Sequence, residues 1–192
     1  AHGSARDTTG IWMWNKPVMR KTADGRTVAV LLVDTQGTFD NQTTAEVNAM
    51  VFALNALISS FQVYNISKRI GEDILQHMHL FTKFGQMVSG ENTSNTSTLK
   101  PFQRLMFLVR DWGSPKQHFY GNEGGEEHLA DVLNVEDAGS EVNRELVEVR
   151  KDIEGCFDQL GCFLLPSSSS SMSSASAPNS VVYASIRYFA SK

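Results

Sequence analysis

The clearest pattern of apolar and polar positions along the chain is a run of six apolar residues, 28–33, that stops at a carboxylate, Asp34. A short continuous apolar run bounded by a polar turn is typical of a strand that is buried on both faces, as in parallel sheets. In open α/β sheets, ligands bind beyond the carboxyl ends of such strands. Asp34 therefore lies where a ligand site is expected, although an ordinary strand-to-loop turn has the same pattern.

Further patterns predict strands and helices in alternation along most of the chain. Residues 11–33 are typical of a β-hairpin that leads into the central strand, and Thr44 is a suitable cap for the helix that follows. The other predicted elements are helices at about 44–56, 70–88, 126–133 and 140–154, and strands at about 57–64, 105–109 and 162–165. This alternating order predicts the α/β fold class.

The composition is that of an ordinary globular domain, with 192 residues, 41% of them hydrophobic, and a net charge of -4. Because no basic stripe stands out, we expect no nucleic-acid partner. The apolar runs are too short for a membrane-spanning helix, so we expect no membrane segment and a chain that is soluble as given. The two cysteines, Cys156 and Cys162, do not have zinc-ligand spacing and are expected to be buried thiols.

The composition changes after Pro166, where a serine-rich stretch begins. Such a low-complexity segment has too few apolar residues to bury a core. The sequence therefore predicts one domain over residues 1–166 and a disordered tail over residues 167–192. Residues 181–189 are apolar again and are open to two interpretations, a docked strand or helix and an unstructured end.

Two predicted strands end in an acid, the first at Asp34 and the second at Asp111, which follows Arg110. If both strands are parallel, their carboxyl ends lie at one edge of the sheet. One carboxylate there can hold Mg²⁺ at a nucleotide's phosphates, and the other can accept the paired N–H donors of a guanine edge. The alternative for Asp111 is an ion pair with Arg110 or Arg104 at the end of the strand.

Several segments together resemble the large GTPase domain shared by the atlastins and the guanylate-binding proteins, most closely the atlastins. The resemblance covers about residues 3–166. It rests on GSARDTTGIWMW, LLVDTQGTF, FQVYN, LKPFQRLMFLVRDW and CFLLP.

The resemblance implies a role for each candidate site residue. Thr8 would be the threonine of switch I that binds Mg²⁺. Residues 34–37 would form switch II, with Asp34 near Mg²⁺ and Gly37 near the γ-phosphate, and Gln36 stands before the glycine as in the atlastins. Thr8, Gln36 and Gly37 would take part in catalysis, and Arg110 and Asp111 would read guanine.

The resemblance further implies a P-loop-GTPase-like, mostly parallel sheet with flanking helices, and Mg²⁺-dependent hydrolysis of GTP to GDP and phosphate. It implies a homodimer formed through the GTPase face, action in membrane fusion, and a place on the cytosolic face of the endoplasmic reticulum. No G-x-x-x-x-G-K-[ST] sequence occurs in these residues. We therefore expect a partial domain that lacks the first strand and the phosphate loop. The alternative is a non-catalytic remnant that acts only by association.

Overall fold

A computed structural model describes residues 10–36, 44–88, 100–134, 141–167 and 183–190 of the chain. Seven strands and four helices occur in these ranges. They are β1 (Ile11–Met13), β2 (Val18–Lys21), β3 (Thr27–Thr35), α1 (Ala45–Ile58), β4 (Phe61–Ser67), α2 (Glu72–Val88), β5 (Phe102–Trp112), α3 (Asn122–Leu133), α4 (Glu141–Cys156), β6 (Phe157–Pro166) and β7 (Tyr183–Ala190).

The seven strands form one mixed sheet in the order β1-β3-β7-β4-β5-β6, with β2 also paired to β3. Neighbouring strands β4, β5 and β6 are parallel. Because β7 is antiparallel to both β3 and β4, β3 runs in the same direction as β4. The α/β fold class with parallel strands and flanking helices is confirmed, and so is the antiparallel pairing that leads into the central strand.

Most elements are longer than the sequence pattern predicts. The predicted strand at 57–64 begins only at Phe61, because α1 continues to Ile58, and the last predicted strand of the domain begins at Phe157 rather than Cys162. Thr44 caps α1 as expected, since its side chain accepts a hydrogen bond from the backbone N–H of Val47.

Residues 183–190 form β7, which agrees with the docked strand among the two interpretations that the sequence left open for this apolar stretch. The physical reason is backbone pairing, because β3 and β4 would each present unpaired N–H and C=O groups without a strand between them. Residues 168–182 lie outside the described residues. The predicted domain boundary at residue 166 stays a prediction.

The main core lies between one face of the sheet and the helices. Alternate residues of β4 are buried, with Tyr64 fully so, which is the period-2 pattern of a strand covered on one face. Phe52 of α1 packs edge-on against Tyr64 and stacks on Phe81 of α2 with ring centroids 4.5 Å apart. Tyr64 also meets Phe107 of β5 edge-on. These rings fix the helices against the strands that carry the site.

Both cysteines are free and fully buried, as expected. Burial raises the pKa of the Cys162 thiol to about 12. It also raises the pKa of the Cys156 thiol. Since the thiolate is the reactive form, both residues are structural thiols.

A buried arginine joins three helices on this side of the sheet. The side chain of Arg150 in α4 is 5% exposed and forms an ion pair with Glu72 of α2. Its Nε donates to the carbonyl oxygen of Val132 in α3 at 2.8 Å, and Nη1 donates to the carbonyl oxygen of Leu146 at 3.0 Å. The guanidinium of Arg150 therefore connects α4 to α2 and α3.

We predict that Arg150→Met lowers the free energy of unfolding by about 2 kcal/mol, because it leaves buried acceptors without donors. Urea denaturation measures the change. The matched control is Lys151→Met, the exposed neighbour on the same helix, which should change stability by less than about 0.5 kcal/mol. Equal losses for the two variants would show that the buried contacts contribute nothing.

Candidate nucleotide site

The candidate site lies at the edge of the sheet where β3, β4 and β5 end. These strands run in one direction, so Asp34 near the end of β3 and Asp111 near the end of β5 lie at the same edge. This part of the sequence prediction is confirmed. Asp34 and Val63 both pair with Ala184, and Val63 pairs with Met106, so Asp111 lies farther out along the strand direction than Asp34.

The register also gives the size of the ligand that would touch both acids. Strand spacings of about 4.8 Å and a rise of about 3.3 Å per residue place the two Cα atoms roughly 20 Å apart. The edge therefore suits one extended ligand and does not bring the two carboxylates onto a single ion.

The backbone at Asp111 is unusual, because its φ angle is 57°, in the left-handed region. Few residues other than glycine adopt this conformation, and such strain is concentrated at functional sites. The pairing of β5 with β6 shifts register between Val109 and Trp112, which is where Asp111 lies. The distortion turns Asp111 out of the regular alternation of the strand.

The carboxylate of Asp111 accepts hydrogen bonds from two serine hydroxyls. Ser67 at the end of β4 donates to Oδ2 at 3.2 Å, and Ser167 donates to Oδ1 at 3.1 Å. The ion pairs of the described residues do not include one between Asp111 and an arginine. Arg110 donates from Nε to Asn65 Oδ1 at 2.7 Å, and Arg104 lies over the ring of Phe61 at 5.0 Å. The alternative of an ion pair between Asp111 and Arg110 or Arg104 is therefore not observed.

Within the predicted switch II, Gln36 is bonded to Gly10, the residue that precedes β1. Its side chain is buried, and its Oε1 accepts from the backbone N–H of Gly10 at 2.9 Å. The backbone N–H of Gln36 in turn donates to the carbonyl oxygen of Gly10 at 2.9 Å. Asp34 is half-buried beside it. Thr8 and Gly37, which the resemblance places at the metal and the γ-phosphate, lie outside the described residues.

The loop that follows Asp111 is tied to α3 by aromatic and imidazole rings. Trp112 is buried and donates from Nε1 to the carbonyl oxygen of His118 at 3.0 Å. Its ring lies 4.7 Å from that of His128, and His118 Nε2 lies 3.1 Å from Asp131 Oδ2. These residues line a cavity of about 470 Å³. The ring cluster holds the chain just after Asp111.

Sequence reasoning did not identify Asn65, Ser67, Ser167 or His118 as site residues. Asn65 and Ser67 are two polar residues at alternate positions near the end of a buried strand, which is a usable signal for a site at that edge. The contacts of Ser167 and His118 depend on the paths of loops, which hydrophobic periodicity does not report.

The described residues show no cluster of three or more His, Cys, Asp or Glu side chains that is able to hold a metal ion. A carboxylate such as Asp34 at a strand end does suit Mg²⁺, which takes one or two protein oxygens and completes its shell with phosphates and water. Within the described ranges, the helices are all too short or too polar to cross a membrane.

Comparison with known proteins identifies relatives over most of the chain. The model of the family described as "Guanylate-binding protein, N-terminal domain" matches residues 1–180. The chain is 49% identical to Atlastin-1 of Bos taurus over 164 residues, which is 85% of this chain and 28% of the relative. It is 50% identical to Atlastin-2 of Homo sapiens over 164 residues, 85% of this chain and 27% of that protein. The chain thus spans little more than a quarter of these curated relatives.

The burial of His128 makes the free energy of unfolding depend on pH. Its Nε2 is buried without a hydrogen-bond partner in the part of the chain that the structure describes. Burial lowers the pKa of His128 from its usual value of 6.5, and the charge of His118 lowers it further, against a smaller opposite effect of Asp131. The unfolded chain therefore binds the proton more readily than the folded one.

We predict that the free energy of unfolding falls as the pH falls below about 6.5 and that His128→Gln makes this fall shallower. Urea denaturation at about pH 7.5 and at about pH 5.5 measures both slopes. Identical slopes for the parent and the variant would show that protonation of His128 is not coupled to folding.

Proposed function

Because the chain belongs to the family of guanylate-binding-protein N-terminal domains, we propose that it binds guanine nucleotides at the carboxyl edge of its sheet and is of the GTPase type. The observation that carries the proposal is Asp111. Its carboxylate lies at this edge on a left-handed backbone, and its bonded partners are hydroxyl groups rather than the adjacent arginine.

Recognition of guanine follows from the donors and acceptors involved. An ionised carboxylate only accepts hydrogen bonds, and guanine offers two neighbouring donors, N1–H and the exocyclic amine. Adenine does not offer this pair, so a carboxylate that has lost water to the base would be left unpaired with adenine. Arg110 lies beside Asp111 and would contribute to the same part of the nucleotide.

For the phosphate end, we propose Asp34 and Thr8 as the residues that hold Mg²⁺, with Gln36 and Gly37 beside the γ-phosphate. When bound, Mg²⁺ would neutralise charge on the phosphates during the transfer of the γ-phosphoryl group to water. In the described conformation the side chain of Gln36 is bonded to Gly10. Gln36 would have to exchange that contact to orient water in GTP hydrolysis.

The similarity to atlastins supports a wider proposal about the protein in which this domain acts. We propose that GTP hydrolysis by such a protein is coupled to homodimerisation through the GTPase face and to membrane fusion. The location would be the cytosolic face of the endoplasmic reticulum.

A second candidate function is association without turnover. It is favoured by two observations, the lack of a G-x-x-x-x-G-K-[ST] sequence in the 192 residues and the position of β7 between β3 and β4. A phosphate loop supplies the main backbone donors and the lysine of such a site. Another polypeptide would have to supply those groups to a site on the 192-residue chain.

We predict that the purified 192-residue chain binds GTP only weakly, because most of the binding energy of a nucleotide site comes from its phosphate contacts. Titration of a fluorescent GTP analogue measures this. An affinity in the micromolar range would contradict the expectation.

We predict that Asp111→Asn reduces the preference for GTP over ATP about tenfold to a hundredfold, because the amide has only one acceptor oxygen and its NH2 group would face the second guanine donor. Ligand-detected NMR titrations with GTP and with ATP give the ratio of dissociation constants even when binding is weak. Asp158→Asn is the matched control, since this exposed residue lies at the opposite end of β6. If the ratio for Asp111→Asn equals that of the parent, Asp111 does not read the base.

A further inference from the structure

Arg110 and Asp111 are adjacent and carry opposite charges, and this creates a problem for base recognition. An arginine that pairs with a carboxylate through two N–H groups occupies both of its oxygens. A carboxylate saturated in this way has little capacity left for the donors of a base. The chain therefore needs a device that keeps the guanidinium of Arg110 away from Asp111.

The last residues of β4 provide such a device. Ser67 pairs in register with Arg110, so these two side chains share one face of the sheet. Asn65 lies two residues before Ser67 on β4, so its side chain is on the same face. Asn65 Oδ1 accepts the Nε–H of Arg110 at 2.7 Å, and the hydroxyl of Ser67 donates to Asp111 Oδ2 at 3.2 Å. One strand end thus holds the arginine and the aspartate separately.

The backbone also joins the two strand ends. Lys68, the residue after β4, has a φ angle of 71°, and its N–H donates to the carbonyl oxygen of Arg110 at 2.7 Å. Two left-handed residues, Lys68 and Asp111, therefore lie on neighbouring strands at the same edge. Since neither is a glycine, these conformations cost energy that the surrounding contacts must offset.

We propose that Asn65 is a positioning residue for guanine recognition, which holds the guanidinium of Arg110 away from Asp111 while Ser67 orients the carboxylate. This inference rests on the proposed function, because it assumes that Asp111 reads the base. A carboxylate has about four acceptor positions, and two hydroxyl donors leave capacity for a guanine edge. A guanidinium at the same place would compete with the base for the carboxylate.

The test compares two substitutions of Asn65 in the 192-residue chain, with the ratio of the dissociation constants for ATP and GTP as the readout. Asn65→Leu has a similarly branched side chain but no acceptor, and it should reduce the preference for GTP about tenfold because Arg110 turns to Asp111. Asn65→Asp keeps an acceptor for Arg110 and should keep the preference. If Asn65→Leu does not fold, Asn65→Ser, which is too short to reach Arg110, takes its place.

A purely structural role of Asn65 is separated from the proposed one by a double-mutant cycle with Arg110→Met. If Asn65 acts by restraining Arg110, Asn65→Leu changes the ratio in the parent but has no further effect in the Arg110→Met background. The Nε–H signal of Arg110 in NMR spectra should also shift in Asn65→Leu and stay close to its original position in Asn65→Asp.

The outcomes separate the two proposals. If Asp111→Asn leaves the ratio unchanged, the proposed function itself fails. If Asp111→Asn lowers the ratio but Asn65→Leu does not, only the role of Asn65 is overturned. The role is also overturned if Asn65→Leu has the same effect with and without Arg110, because the loss would then not pass through the guanidinium.

Discussion

The site depends on the common direction of β3, β4 and β5. Parallel strands end at the same edge of a sheet, so polar residues at their carboxyl ends are brought together although they are far apart in sequence. Asp34, Ser67 and Asp111 belong to three different strands and share one edge for this reason alone. The chemistry proposed for the chain is a consequence of this topology.

The same sheet shows how backbone hydrogen bonding can decide a structure that side-chain patterns leave open. β7 comes from a region after a serine-rich stretch, yet it pairs with β3 on one side and with β4 on the other. Two strands that run in the same direction are here separated by one that runs against them. The main-chain donors and acceptors of β3 and β4 are satisfied in this arrangement.

The parts that could be predicted from the sequence are those governed by hydrophobic periodicity. The apolar run before Asp34 and the alternation of strands and helices predicted the fold class and the edge at which Asp34 and Asp111 lie. The expected burial of that run on both faces is wrong, because only Val28 and Val33 are buried and Leu32 is exposed. The features that could not be predicted from the sequence depend on contacts between distant segments. The hydrogen bond from Arg110 to Asn65 and the insertion of β7 join residues that are far apart in sequence. Hydrophobic periodicity gives no information about such contacts. The left-handed backbone of Asp111 arises from a shift in strand register, which composition does not encode.

Gln36 has a mechanical consequence for the two segments that it joins. Its main chain and its side chain are both bonded to Gly10, so the residue before β1 and the residue after β3 are joined by two hydrogen bonds. These bonds extend the pairing of β1 with β3 by one residue at this edge of the sheet. A force that separates the two strands from this edge would therefore load the two bonds of Gln36 before it loads the strand pairing itself.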